Sequence, residues 1–200
     1  MDISEINQNF IKLATSISPK IRCLKKLLIE GADINYQNEN GDTALMWAVI
    51  GQYDRIAEYL LRQGADPLIK NHKNKIASAL INPDSTLYLT LKDYELLAAV
   101  KKHDLLVAKT VIDSGALINF KDARGYNALM IATEQNFEQM VNFLILQGAD
   151  PTLTLSNGQS IFALTNNQTI YQLLKEAERC YKGIQQIPDR KLHRFFTTQF

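Results

Sequence analysis

Three histidines, His72, His103 and His193, and two cysteines, Cys23 and Cys180, are the residues of this 200-residue chain most suited to hold a metal or act as nucleophile or base. Their spacing supports neither role. There is no histidine pair one helical turn apart and no Cys-x-x-Cys, so a zinc site is not expected. Phosphate-cradling patterns of the G-x-x-x-x-G-K-[ST] or G-x-G-x-x-G kind are absent as well. The glycines fall instead where turns and helix ends are expected. His103 sits between two helical segments and reads as a surface turn residue. Cys23 aligns with Val107 of a later, similar stretch and reads as a buried thiol. One dense basic run, Lys70-Asn71-His72-Lys73-Asn74-Lys75, has the charge to meet phosphate or an acidic partner, or to form a solvated turn. The expectation is a non-enzyme with no cofactor, no metal and no catalytic residue.

Composition narrows the classes further. The chain is 46% hydrophobic and 22% charged with a net charge of +1, which points to neither nucleic acid nor an anionic membrane. Two cysteines far apart in sequence fit free thiols in a reducing compartment. No run of about 18 apolar residues is present to span a bilayer. The N-terminal MDISEINQNF lacks the layout of a signal peptide. The chain therefore reads as soluble and cytoplasmic.

The elements that must position any binding residues are clearest in Gly41–Pro67. Ala44, Leu45, Trp47 and Ala48 precede a polar break at Gly51-Gln52, and Ile56, Tyr59, Leu60 and Leu61 follow it. Apolar residues three and four apart give two helices, each with one buried side. Gly64 follows the second helix, at the place where a left-handed residue ends a helix. The pattern recurs: the interval from Gly31 to Gly64 is the same as that from Gly115 to Gly148. Trp47 aligns with Ile131 and reads as core.

A turn and two helices repeating every ~33 residues resembles the ankyrin-repeat family. Thr43-Ala44-Leu45-Met46-Trp47-Ala48 stands where that family has T-P-L-H-x-A, and Asn127-Ala128-Leu129-Met130-Ile131-Ala132 is a second copy. These departures remove polar capping, so the turns are expected to be held less rigidly. The resemblance implies an all-α ankyrin-repeat solenoid of stacked helix-turn-helix units with short hairpin fingers. Residues 1–183 divide into repeats at about 1–34, 35–67, a shortened 68–91, 92–118, 119–151 and 152–183. One constant shift, without a gap, superposes Gly31 on Gly115, Gly41 on Gly125 and Gln63–Pro67 on Gln147–Pro151; internal duplication is the simplest account, with repeated selection for one pattern as the alternative. The third repeat is expected to have a helix near 76–81 and a stunted second helix. Lys92-Asp93 would then be a joint, with Asp93 capping the next helix and Leu87, Leu89 and Leu91 facing Leu96, Leu97 and Val100 in one unbroken stack. Polar residues on the first helix (Glu5, Asn7, Gln8, Lys12) suit a solenoid end. Residues 184–200 carry Leu192, Phe195, Phe196 and Phe200 at helical spacing, expected to fold back as a C-terminal cap or to dock a partner.

By the same resemblance, binding residues lie on the turn tips and the exposed side of each first helix. In this chain they are Glu39, Asn40, Asp42 and Ile50 in the second repeat, and Lys70, His72, Lys73 and Lys75 in the third. The fifth adds Lys121, Arg124, Tyr126, Glu134 and Gln135, and the sixth adds Asn157 and Gln159. Gln37, Asp84, Thr154 and Gln168 border this set. The mixed charge suits a protein partner, with Tyr126 as anchor. The chain is expected to be a monomer, with tail-mediated association as the alternative. Two rival functions stand beside a protein-binding module: an effector-type ankyrin protein delivered into a host cytosol to act on host proteins, and an enzyme with a site in the groove or tail.

Overall fold

The computed structural model describes residues 2–14 and 20–185. The expectations for residues 186–200, His193 and the phenylalanines of the tail included, lie outside them. The chain forms two compact units, Met1–Leu117 and Ile118–Phe200. In the first unit run α1 (Ile3–Ala14), α2 (Ile21–Ile29), α3 (Ala44–Ile50), α4 (Asp54–Arg62), a short 3-10 turn (Ala77–Leu80), α5 (Thr86–Lys101) and α6 (Leu105–Asp113). The second holds α7 (Ala128–Glu134), α8 (Glu138–Leu146), another 3-10 turn (Ile161–Leu164) and α9 (Gln168–Gln185). The fold class is all-α; among the described residues the one β contact outside strands is a bridge between Thr154 and Ser160.

Each helix forms for a local reason. Thr43 Oγ1 and Asn127 Oδ1 accept the Met46 and Met130 N–H groups at 3.3 and 2.8 Å, capping α3 and α7. The turns therefore keep a polar cap, contrary to the looser hold expected from the motif's departures. Gln52 and Asn136 take φ of 56° and 59° and reverse the chain between the paired helices. Gly64 and Gly148, at φ of 97° and 89°, end α4 and α8 and donate to the carbonyls of Leu61 and Ile145. The two copies correspond element by element. The shift that takes Gly31 to Gly115 also carries both ends of α2, α3, α4 and the first 3-10 turn onto those of α6, α7, α8 and the second.

The core of the first unit gathers Phe10, Leu24, Leu45, Met46, Leu60 and Leu91, all at most 1% exposed. In the second, Leu129, Met130, Leu144, Ile161, Ile170 and Leu174 are equally sealed. Trp47 is only half-buried, packed against the first core rather than inside it. Cys23 is exposed, as is Cys180. Only Leu24 of α2 is buried, and Val107, the residue Cys23 aligns with, is itself only half-buried, so the match had no core position to transfer. Asn7 is not on an outer polar face either: it is 7% exposed, and its Oδ1 accepts the Asp33 N–H at 2.7 Å.

The largest departure is α5. The expected joint at Lys92-Asp93 lies inside one continuous 16-residue helix, and its N-cap is Ser85, whose hydroxyl accepts the Leu87 N–H at 3.3 Å. α5 serves as second helix of the shortened repeat, packing on α4 and the first 3-10 turn, and as first helix of the next, packing on α6. Leu87, Leu91, Leu96, Leu97, Ala99 and Val100 are buried around it, whereas Leu89 is 50% exposed. Three charged residues are buried with them. Lys92 Nζ lies 2.8 Å from Glu95 Oε2, donates to Ser78 Oγ at 3.1 Å and sits 5.1 Å from the Tyr88 ring centre. Asp93 accepts the Leu117 N–H at 2.7 Å. Burial raises the Asp93 pKa, with that hydrogen bond opposing the rise.

A smaller irregularity yields a test. Thr133 is fully buried and its hydroxyl has no hydrogen-bond partner, while Val49, equally buried, holds the corresponding place in the first unit. An unmet buried hydroxyl costs about 1–3 kcal/mol. Thr133→Val is therefore expected to raise stability by about 1 kcal/mol, read as a higher urea midpoint at unchanged slope.

Candidate interaction surface

The fingers between helix pairs are built from short polar loops that repeat one device. Asn38 Oδ1 accepts the N–H groups of Asn40 and Asp42 at 2.9 and 3.0 Å. Asn71 does the same for Lys73 and Lys75, both at 3.0 Å, and Asp122 for Arg124 and Tyr126 at 2.9 and 3.0 Å. Such side chains fold the backbone onto themselves and stiffen a turn. In the fourth loop the position belongs to Leu155, which is apolar and buried; Asn157 Oδ1 takes over and accepts the Gln159 N–H at 2.9 Å. Each loop turns through a left-handed residue: Gly41, Asn74, Gly125 or Gly158.

Neighbouring fingers within a unit are tied together. In the first unit Gln37 Nε2 donates to the Gly41 and Lys70 carbonyls at 2.6 and 3.0 Å, and the His72 N–H donates to Asn40 O at 3.0 Å. A Cβ on Gly41 would come within 2.8 Å of the His72 backbone nitrogen, so only glycine permits this approach. In the second unit Ser156 Oγ donates to Arg124 O at 3.3 Å, and Lys121 Nζ to Thr154 O at 2.6 Å.

Against this frame the expected binding residues separate into two groups. Glu39, Asn40, Ile50, Lys70, His72, Lys73 and Lys75 are exposed in the first unit, and Lys121, Arg124, Glu134, Gln135, Asn157 and Gln159 in the second. Asp42 is not: it is 9% exposed and its Oδ1 accepts the Asn71 Nδ2–H at 2.8 Å. A carboxylate turned inward to hold the next finger is structural, and this corrects its placement at the tip. Gln37, also expected to border the surface, spends its amide on the finger ladder. Tyr126 is half-buried. Its hydroxyl donates to Glu134 Oε1 at 3.1 Å, and the Arg124 guanidinium lies 5.2 Å from its ring centre while also contacting Asp122 at 3.4 Å. Burial, then the Glu134 carboxylate, raises the phenol pKa, so Tyr126 stays a neutral donor. The holding residues Asn38, Asn71 and Asp122 were missed from sequence. Their signal was present: each stands three residues before the left-handed glycine or asparagine of its loop.

Among the described residues no group of three or more His, Cys, Asp or Glu is placed to hold a metal ion. No described helix is long and apolar enough to cross a membrane.

Helix-turn-helix units joined by stiff, mutually bonded fingers define a repeat protein. The family models agree: "Ankyrin repeats (3 copies)" matches residues 11–85 and "Ankyrin repeat" matches residues 124–154. The chain belongs to the ankyrin-repeat family. It is similar to the mitochondrial disaggregase of Bos taurus, 28% identical over 173 residues that cover 86% of this chain and 23% of that protein. It is also similar to the palmitoyltransferase AKR1 of Lachancea kluyveri, 26% identical over 172 residues, covering 76% of this chain and 23% of that one. Protein phosphatase 1 regulatory subunit 27 of Mus musculus is 40% identical over 68 residues, 34% of this chain and 44% of the relative. The chain thus spans less than half the length of these relatives.

Proposed function

We propose that this chain is a non-catalytic protein-interaction module that meets its partner through the finger tips and the exposed side of the first helices. Membership of the ankyrin family and likeness to a phosphatase regulatory subunit support an interaction role. One observation carries the finger reading. The side chains that shape each finger are turned inward and hydrogen-bonded, while Glu39, Lys73, Lys75, Arg124 and Gln159 project from it into solvent. A stiff loop with exposed outward groups loses little conformational entropy on binding. Its mixed charges set register and association rate more than raw affinity.

The test is capture of a partner by the full chain, followed by binding kinetics with purified components. Lys73→Glu and Arg124→Glu are each expected to slow association several-fold at low salt and less at high salt. Tyr126→Ala is expected to weaken binding by about 2 kcal/mol, as a half-buried aromatic anchor should. Unchanged kinetics in all three variants would remove the fingers from the interface.

A further inference from the structure

The two copies build one finger with different charges. In the first unit the finger Lys70–Lys75 carries Lys70, Lys73 and Lys75, all exposed. The corresponding residues of the second unit are Thr154, Asn157 and Gln159, equally exposed and uncharged. Both loops close through the same backbone bond, from the Asn71 N–H to Lys75 O at 3.0 Å and from the Leu155 N–H to Gln159 O at 2.9 Å. In the first unit Asn71 Oδ1, Gln37 and the Asn40 carbonyl hold the rest of the loop by its backbone. The shape of the finger therefore needs none of the three ammonium groups.

Those groups repel one another, and the fold gives them no counter-charge. None of the three is in an ion pair among the described residues. Asp42, beside the loop, is sealed and bonded to the Asn71 amide. Asp66, at the base of the finger, lies 2.6 Å from Lys102 Nζ and is already paired. Glu39 is exposed on the adjoining finger, next to the Asn40 carbonyl that takes the His72 N–H. Three cations on a stiff loop, left uncompensated, are complementary to anionic groups brought from outside. Building on the reading of the fingers as the partner surface, we infer that Lys70, Lys73 and Lys75 receive a short acidic stretch of the partner protein, with two or more Asp or Glu in succession. Glu39 repels the same stretch and so limits its length along the row of fingers. A nucleic acid would bring phosphates against Glu39 as well, and a net charge of +1 gives the chain no wider field to hold a polyanion.

The test gives one finger the side chains of the other. A random dodecamer peptide library displayed on phage is selected on the full chain and counter-selected on K70T/K73N/K75Q. That variant is expected to melt no lower than the parent, since the bonds that hold the finger are untouched. Peptides that discriminate are expected to carry consecutive acidic residues and to bind the variant about tenfold more weakly, the combined effect of two or three exposed ion pairs. The gap should close as salt rises, and the amide resonances of residues 70–75 should shift on binding. Reversal tests the charge itself: K73E/K75E is expected to refuse these peptides and to take versions with Lys in place of the acids. Discriminating peptides without acidic residues, or a gap indifferent to salt, would overturn the acidic partner while leaving the finger surface standing. So would a short single-stranded DNA held more tightly than the peptides. The inference also falls if no peptide discriminates while both proteins melt alike. Resonance shifts confined to residues away from the fingers would remove the finger reading along with it.

Discussion

Lys92→Ala is expected to lower the unfolding free energy of the first unit by about 3–5 kcal/mol. Lys92 and Glu95 have side chains 10% and 0% exposed, with Nζ and Oε2 2.8 Å apart. Glu95 depends on this contact, since its second oxygen, Oε1, is buried with no hydrogen-bond partner. Removing the ammonium leaves a fully buried carboxylate without its partner, which is far worse than losing an ion pair in water. Replacing both partners should reverse the effect. The first copy has Gln8 and Ile11 at these positions, and Ile11 is buried. Lys92→Gln with Glu95→Ile should therefore be neutral or stabilising, as apolar replacement of buried pairs often is. Urea denaturation of the three proteins decides it. A loss below about 1 kcal/mol for Lys92→Ala, the scale of an exposed pair, would show that water reaches Glu95.

Leu60→Ala and Leu144→Ala are each expected to cost about 2–5 kcal/mol, the range for emptying a packed leucine site. Both side chains are fully buried, and they occupy equivalent places in α4 and α8. The spread in such costs reflects how far the surroundings collapse into the void. Measured by urea denaturation, losses under about 0.5 kcal/mol at both sites would fit surface positions and contradict the packing of the second helices.

Much of this architecture was legible because repetition tests itself. Leu45 with Ala48 and Leu60 with Ile56 mark single buried faces, and Gly64 and Gly148 mark helix ends at matching places. α5 escaped because a helix that packs on two sides has no single apolar stripe. Its Lys92-Asp93 reads as a polar joint in sequence, although in the fold both are buried and paired with Ser78 and the Leu117 N–H. Alignment failed at Trp47 because equivalent positions in two repeats need not have equivalent neighbours, and at Cys23 because its match, Val107, is itself only half-buried. At the fingers, exposure was legible for Lys73, Lys75 and Arg124, since long charged side chains rarely turn inward. Asp42 was not, because only the fold brings Asn71, 29 residues away, within 2.8 Å of its carboxylate.

The double duty of α5 also sets the phase of the first unit. An α-helix advances about 100° per residue, so inserting or deleting one residue within Thr86–Lys101 rotates everything beyond it by that angle relative to everything before. An ordinary repeat helix would present such an error to one neighbour. α5 would present it on both sides at once, turning Leu96, Leu97 and Val100 away from α6 or Leu87 and Leu91 away from α4. Length changes should therefore be tolerated at finger tips, where a loop absorbs the offset, and excluded from α5. Among related chains, the length of this helix should be fixed even where its residues are not.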